Sequence, residues 1–328
     1  MPIKEKPKPL ASMRIGVIIV NYNGGEVLRR SIESLKNQTH PADRCLVIDN
    51  QSLQEPLRGD ESWLNGIEVI KSETNLGFAA ANNLGASLFK DMDWLAFLNP
   101  DAFAEPTWLQ RLCEEASNDP QTLVFASRQI NAQHPNLLDG AGDSLTRGGR
   151  PYRRGFGEDS SKAFLKADQV FSACGASMFI HRSIFEAVGG FDEDFFCYLE
   201  DIDLGFRLQL EGYACRYLPD AKVHHLGSAI TGKQSDFSTY HGHRNLVWLY
   251  LKNMPAPLFW LYLPQHLALT LAAFFMCIRR GQGRVFLRAK WDAMKDLKKF
   301  LMKRSLIQRR RKASTLTIWK ALSPERLP

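Results

Sequence analysis

Cysteine is sparse in this chain. Its 328 residues hold six, Cys45, Cys113, Cys174, Cys197, Cys215 and Cys277, with no C-x-x-C pair and no histidine at zinc-ligand spacing. That excludes a zinc ribbon and a disulfide scaffold, and leaves reduced, buried thiols as the simplest reading. The phosphate-binding signature G-x-x-x-x-G-K-S/T is missing, and the first apolar run ends in Asn-Tyr-Asn-Gly-Gly, not in G-x-G-x-x-G. A P-loop NTPase and a dinucleotide oxidoreductase are therefore disfavoured. There is no repeat at solenoid or propeller spacing. The opening MPIKEKPKPLAS has no apolar core and the run after it is only six residues, so no signal peptide is expected and the body should stay inside the cell. With 45% hydrophobic and 23% charged residues the chain is neither disordered nor fibrous, and its length suits one large domain with an appendage or two domains.

The formal charge of +7 invites comparison with a nucleic-acid binder, but it is unevenly spread. Residues 279–328 contain sixteen Lys or Arg against Asp292, Asp296 and Glu325, about +13, which leaves the rest at about −6. A mildly acidic body carries a strongly basic tail.

Residues 15–20 (IGVIIV) form a continuous β-branched run, as expected of a strand buried on both faces of a parallel sheet. A helical pattern follows on Val27, Leu28, Ile32 and Leu35. Further short apolar runs stand at 45–48, 67–70 and 94–98, with an Ala-rich helix over 77–89 before the last of them. Strands alternating with helices predict an α/β doubly wound sheet with helices on both faces. In such sheets ligands sit beyond the carboxyl ends of the strands, and here those ends carry Asn21, Asp49 and Asp101. Residues 128–168, rich in Gly, Arg, Asp and Ser, are expected to form a long loop or a partly ordered excursion, with a solvated insertion as the alternative. Order resumes at Val170, and 199–210 reads as a helix ended by Gly212.

Short acidic and amide clusters recur: Asp49-Asn50, Asn75-Leu76-Gly77-Phe78 with Asn82-Asn83, Asn99-Pro100-Asp101, Glu200-Asp201 with Asp203, and His224-His225-Leu226-Gly227-Ser228. A carboxylate after a buried strand suits Mg2+ or Mn2+ held jointly with a diphosphate, but it equally suits a turn or helix cap. Glu200-Asp201 at a helix start could simply complement the helix dipole, and Asp203 with Arg207 could be a plain i,i+4 ion pair.

Their order along the chain separates these readings. VIIVNYNGGEVLRRSIESL, CLVIDNQS, NLGFAAANN, FLNPDA, CGASMFIHRSIFEAVGGFDEDFFCYLEDIDLGFRLQLEGY and VHHLGSA together resemble the family 2 glycosyltransferases of the GT-A fold, nearest the rhamnosyltransferase-like branch that builds bacterial surface polysaccharides. The resemblance covers residues 13–253, leaving 1–12 as a flexible tail and 254–328 as a helical, basic, membrane-associating region. It implies a nucleotide-sugar pocket of Asn21, Asn23, Asp49, Asn75, Gly77, Phe78, Asn83 and Asn99. It implies Mg2+ or Mn2+ at Asp101 and His225, and a catalytic pair Glu200 and Asp201 with Asp201 as general base. Arg244, in the His-Arg-Asn triplet after the block, is a candidate diphosphate contact whose bland alternative is a surface arginine. Two positions depart from the family: Asn99 replaces the first carboxylate of Asp-x-Asp, and Gln54 stands where relatives often carry a second Asp.

Residues 258–278 (LFWLYLPQHLALTLAAFFMCI) contain no charged residue, a length that matches a bilayer span. One full crossing would put the basic tail outside, against the positive-inside rule. An in-plane or re-entrant helix is expected instead, followed by an amphipathic surface helix over 285–306 with Leu287, Trp291, Met294, Leu297, Leu301 and Met302 on its apolar face. Packing of that helix on the body or on a second copy, a homodimer, is the alternative. The function expected is inverting transfer of a sugar, such as rhamnose or another deoxyhexose, from a nucleoside diphosphate to a lipid-linked glycan on the cytoplasmic face of the inner membrane. The rivals are a polyprenyl-phosphate sugar synthase and a nucleic-acid binder using the tail; against the latter, the tail has no nucleic-acid motif.

Overall fold

A computed structural model describes residues 12–227 and 235–324. The tail at 1–12, save its last residue, and Ser228 of the His-His block lie outside the described residues. The chain opens with β1 (Ile15–Asn21), α1 (Gly25–Lys36), β2 (Arg44–Asp49), β3 (Glu68–Lys71), α2 (Gly77–Leu88) and β4 (Trp94–Leu98). β1 and β4 are buried at every position, which is why their sequences are uniformly apolar. α1 turns Leu28, Ser31, Ile32 and Leu35 to the core and ends at Asn37, close to its expected limits. Next come β5 (Ala102–Ala104), α3 (Trp108–Asn118) and β6 (Val124–Asn131).

Residues 128–168, expected as a long loop or a partly ordered excursion, are more regular than that. They contribute β7 (Leu138–Gly140), paired antiparallel with β6, and the two-stranded hairpin of β8 (Asp143–Leu145) and β9 (Pro151–Arg153). Several of their polar side chains find internal partners. The buried Arg128 guanidinium donates to the carbonyls of Ser160, Ala163 and Phe164 and to the Tyr217 hydroxyl. A composition that looks solvated is thus compatible with a buried wall, because burial needs partners for polar groups, not their absence.

The body closes with β10 (Asp168–Val170), β11 (Ser177–His181), α4 (Arg182–Ala187), α5 (Glu200–Glu211) and β12 (Cys215–His225). Ten strands form one mixed sheet, in the order β10-β12-β6-β11-β4-β1-β2-β3 with β5 on β12 and β7 on β6. β1, β2, β3 and β4 are parallel, whereas β11 runs antiparallel between β4 and β6.

Among the described residues five helices follow: α6 (Asp236–Asn253), α7 (Ala256–Arg279), α8 (Gly283–Lys295), α9 (Leu297–Arg310) and α10 (Thr315–Ala321). They share a second apolar core with the body, in which Phe195, Ile202 and Phe206 meet Trp248, Leu249, Phe300 and Ile318. The single amphipathic helix expected over 285–306 is corrected to two, broken at Asp296. The break lets Phe286, Ala289 and Ala293 from α8 and Phe300 from α9 all face inward, with Phe300 stacked on Trp248 at 4.3 Å. The apolar residues read from the sequence are mostly on the other side: Leu287, Trp291, Met294, Leu301 and Met302 are exposed. α7 is long and apolar enough to cross a membrane, and it too is largely exposed, with Trp260 at 69%.

Candidate active site

A cavity of about 730 Å3 opens beyond the carboxyl ends of β1, β2 and β4. One wall is built of amides. Asn50, at the end of β2, donates from Nδ2 to Asn75 Oδ1 (2.9 Å) and accepts on Oδ1 from the Leu76 N–H (2.8 Å). Asn75 Oδ1 also accepts from the Gly77 N–H (2.9 Å), so two segments lock into one neutral surface that presents Asn50, Asn75, Gly77 and Phe78. Gly77 is required as glycine: its φ is +75°, and a Cβ there would stand 2.5 Å from the Phe196 ring and carbonyl.

The facing wall is ionic. Asp101 follows β4 and β5 pairs back onto β12, setting Ala102 opposite His225. Strand alternation then sends His225 into the cavity and His224 to the other side, where its ring lies 3.1 Å from Glu105. His225 Nδ1 lies 2.8 Å from Asp139 Oδ2, and its Nε2 faces Asp101 Oδ1 at 3.3 Å. Burial opposes protonation of this imidazole, but hydrogen bonds and charge from Asp101 and Asp139 raise it to about 9. Asp139 also accepts from Arg153 Nη1 (2.7 Å). Burial works against its charge, yet His225 and Arg153 hold its carboxyl below the usual range. Arg153 reaches on to Asp143 (3.4 Å) and Cys174 Sγ (2.8 Å). Burial pushes the Asp143 carboxyl up to about 7 against the pull of Arg153.

Asp201 stands at the start of α5, after a sharp turn, and accepts from two backbone N–H groups, Gly175 (2.9 Å) and Ile202 (2.8 Å). Its neighbour Glu200 is fully enclosed, and burial together with the adjacent Asp201 charge holds it well above the usual carboxylate range. Ligand atoms of Asp143, Cys174 and Asp201 lie within 4.8 Å of one another.

Which of these groups could hold a divalent cation follows from the donor set. Asp101 and His225 supply a carboxylate and an imidazole side by side, with His225 Nε2 turned toward Asp101 Oδ1 at 3.3 Å. Asp139 on Nδ1 is the outer partner that a metal-ligating histidine usually has. The pair fits Mg2+ or Mn2+, and a bound cation would take the place of the Nε2 proton.

Of the residues expected at the site, the cavity wall contains Asn75, Gly77, Phe78, Asn99, Asp101, Glu200, Asp201 and His225. Five others are placed elsewhere. Asn21 and Asp49 bond to each other and to Ser52 behind the wall. Asn23 caps the Gln54 and Glu55 N–H groups, and Asn83 pins the backbone of Phe191. Arg244, the candidate diphosphate contact, points its guanidinium at the carbonyls of Asp194 and Phe195 and over the Trp248 ring. The sequence reading missed Asp139, Asp143 and Arg153, which lie in the stretch taken for a loop. It named Asn50 only as the neighbour of Asp49.

The model of "Glycosyl transferase family 2" matches residues 16–189, and that of "Glycosyl transferase family group 2" matches 124–279. The chain is 28% identical over 256 residues to an N-acetylglucosaminyl-diphospho-decaprenol L-rhamnosyltransferase of Mycobacterium tuberculosis, covering 69% of this chain and 80% of that protein. It is 27% identical to the O-antigen chain rhamnosyltransferase RfbN of Salmonella typhimurium, covering 65% and 66%. Among solved structures, GalNAc-T7 with UDP, GalNAc and Mn2+ superposes with a TM-score of 0.59 at 18% identity, over 73% of this chain and about half, 48%, of that one. A mannosyltransferase from Pyrobaculum calidifontis with GDP-Man and Mn2+ superposes at 0.50 and 15% identity, over 90% and 86%.

Proposed function

The chain belongs to glycosyl transferase family 2 and is a rhamnosyltransferase-like glycosyltransferase of polysaccharide synthesis; from that premise we propose an inverting transfer of a deoxyhexose, rhamnose first, to a lipid-linked glycan. Asp201 takes the proton of the acceptor hydroxyl as that oxygen attacks the anomeric carbon. The new C–O bond forms on the face opposite the departing nucleoside diphosphate, which leaves with the electron pair of the broken bond, so the centre inverts in one displacement. The two backbone N–H groups on Asp201 fix the carboxylate for this task. Glu200, enclosed and with its carboxyl held well above the usual range by burial and the Asp201 charge, leaves that role to its neighbour. The amide wall of Asn50, Asn75 and Gly77 receives the nucleotide sugar through neutral hydrogen bonds. Asp101 and His225 would hold Mg2+ or Mn2+, which supplies positive charge where the diphosphate becomes more negative.

The observation that carries this reading is the convergence, in one cavity, of Asp201 on two N–H donors with the Asp101, His225 and Asp139 chain. The acceptor to test first is N-acetylglucosaminyl-diphospho-polyprenol, the class in the mycobacterial relative's name. Transfer from a nucleoside-diphosphate rhamnose, dependent on Mn2+ and abolished by chelator, is the expected result. Transfer to a polyprenyl phosphate but not to a sugar hydroxyl would replace it with the synthase reading.

Seating is proposed on the cytoplasmic face of the inner membrane, peripheral or monotopic. It is supported by the exposed apolar faces of α7, α8 and α9 beside the basic tail. Part of the tail's charge is engaged internally: Lys299 and Lys303 bind Asp192 and Asp194, and Arg310 and Lys312 bind Glu211. Lipid attraction should therefore be weaker than +13 alone would give. Cell fractionation tests this, and a fully soluble protein at low salt would overturn it.

A further inference from the structure

The turn that delivers Asp201 is strained. Phe196 has φ 62°, Tyr198 71° and Leu199 68°, a left-handed region that bulky residues avoid. Such residues persist only where their surroundings impose them. Those surroundings are two adjacent residues of α6. Asn245 Nδ2 lies 2.9 Å from the Phe195 carbonyl, 2.9 Å from Cys197 and 2.7 Å from Tyr198. Arg244 donates to the carbonyls of Asp194 (3.2 Å) and Phe195 (3.1 Å). Its Nε also donates to Asn245 Oδ1 (3.0 Å), which fixes the amide with its NH2 toward the turn. The Phe196 carbonyl accepts from Ala79 of α2, and the Leu199 carbonyl from Asp203 of α5. Every carbonyl from 194 to 199 thus has a donor, and four of the six are served by Arg244 and Asn245.

Asn245 is wholly buried and is not on the cavity wall, so it touches neither reacting group. We propose that Asn245, oriented by Arg244, is a positioning residue for transfer: it holds the strained 196–199 turn in the shape that aims Asp201 at the acceptor. The inference rests on the reading of Asp201 as base. It gives the His-Arg-Asn triplet a different part from the diphosphate contact expected of Arg244, and it makes α6 a working part of the active site.

Asn245→Asp is the most specific test in the full chain, because it keeps the size and Arg244 contact of the side chain and removes the donors to three carbonyls. Expected are a kcat lower by about 10²-fold, the cost of misplacing a reacting group by about 1 Å, with little change in donor KM. Binding of UDP and dTDP with Mn2+ stays at the parent value. Because Asn245 acts through Asp201, the Asp201→Asn, Asn245→Asp double variant is no slower than Asp201→Asn alone. Arg244→Lys shows the same split with a smaller fall in kcat, and decides the matter if Asn245→Asp does not fold. Near-parental kcat in a folded variant, or losses that multiply in the double variant, would overturn the proposal. Normal turnover by Asp201→Asn would instead remove the base assignment, and this inference with it.

Discussion

The two walls of the cavity are built from different chemistry. On the side of β1, β2 and β4, Asn50, Asn75 and Gly77 interlock through neutral hydrogen bonds between neighbouring strand ends. On the side of β7, β8, β9 and β12, Asp139, Asp143, Arg153 and His225 form one continuous ionic chain with Asp101 at its end. Neutral donors and acceptors keep their geometry whatever the pH and suit the recognition of a nucleotide that must also leave. Charged groups held out of water act strongly on developing charge but depend on each other's presence. The difference teaches that binding and turnover should be separable by wall.

The largest expected effect is on turnover. Asp201→Asn should lower kcat by about 10³-fold in a steady-state assay, the contribution of a positioned general base, while UDP binding by calorimetry stays close to the parent. Asn50→Ala should show the reverse pattern, with nucleotide affinity reduced and kcat nearly kept; a kcat loss equal to that of Asp201→Asn would erase the distinction between the walls.

Next in size is Arg153→Met, which leaves Asp139 and Asp143 buried without their shared cation. Breaking such a chain on one side should cost about 3 kcal/mol in urea denaturation, and adding Asp143→Asn should recover part of it. A loss below about 0.5 kcal/mol, typical of a plain surface substitution, would mean the ionic wall is solvated.

Gly77→Ala should cost about 1–2 kcal/mol, because alanine must adopt φ +75° and its Cβ presses on Phe196. Weaker UDP binding should accompany it, since the amide wall and the Phe196 turn meet at this residue.

The remaining effect is in pH dependence. The Asp143 carboxyl titrates near 7 in the folded chain against 3.8 ordinarily, so the folded state keeps a proton that the unfolded state has released. Its contribution is fully present below about 4 and is lost as pH rises through about 7. Asp143→Asn should flatten the denaturation midpoint across that window. Asn50→Ala, on the wall without titrating groups, should leave the slope as it was.

Much of the molecule is legible without coordinates where the signal is local. The buried strands at 15–20 and 94–98 announce themselves by short apolar runs without a charged residue, and the helix at 199–210 by its closing Gly212. Asp101, Asp201 and His225 are findable because each belongs to a short block with a fixed order. Asp139, Asp143 and Arg153 are not, since nothing in a Gly- and Arg-rich stretch says which of its charges will be buried. Asp49 and Asn50 show the limit at single-residue resolution: both end β2, and only the path of the turn decides that Asn50 faces the cavity while Asp49 turns to Ser52 and Asn21.

The amino-acid sequence alone determined the α/β layering, the placing of a site at the strand ends, the family likeness and the division into acidic body and basic tail. Each of these depends on periodicity, composition or residue order, which are properties of neighbours along the chain. Only the tertiary structure decided that His225 and not His224 enters the cavity, that the tail's Lys299 and Lys303 are engaged by Asp192 and Asp194, and that Arg244 and Asn245 serve a turn some fifty residues away. Those outcomes rest on pairings between distant segments, whose cost and gain exist only once burial has removed the water that would otherwise serve each group separately.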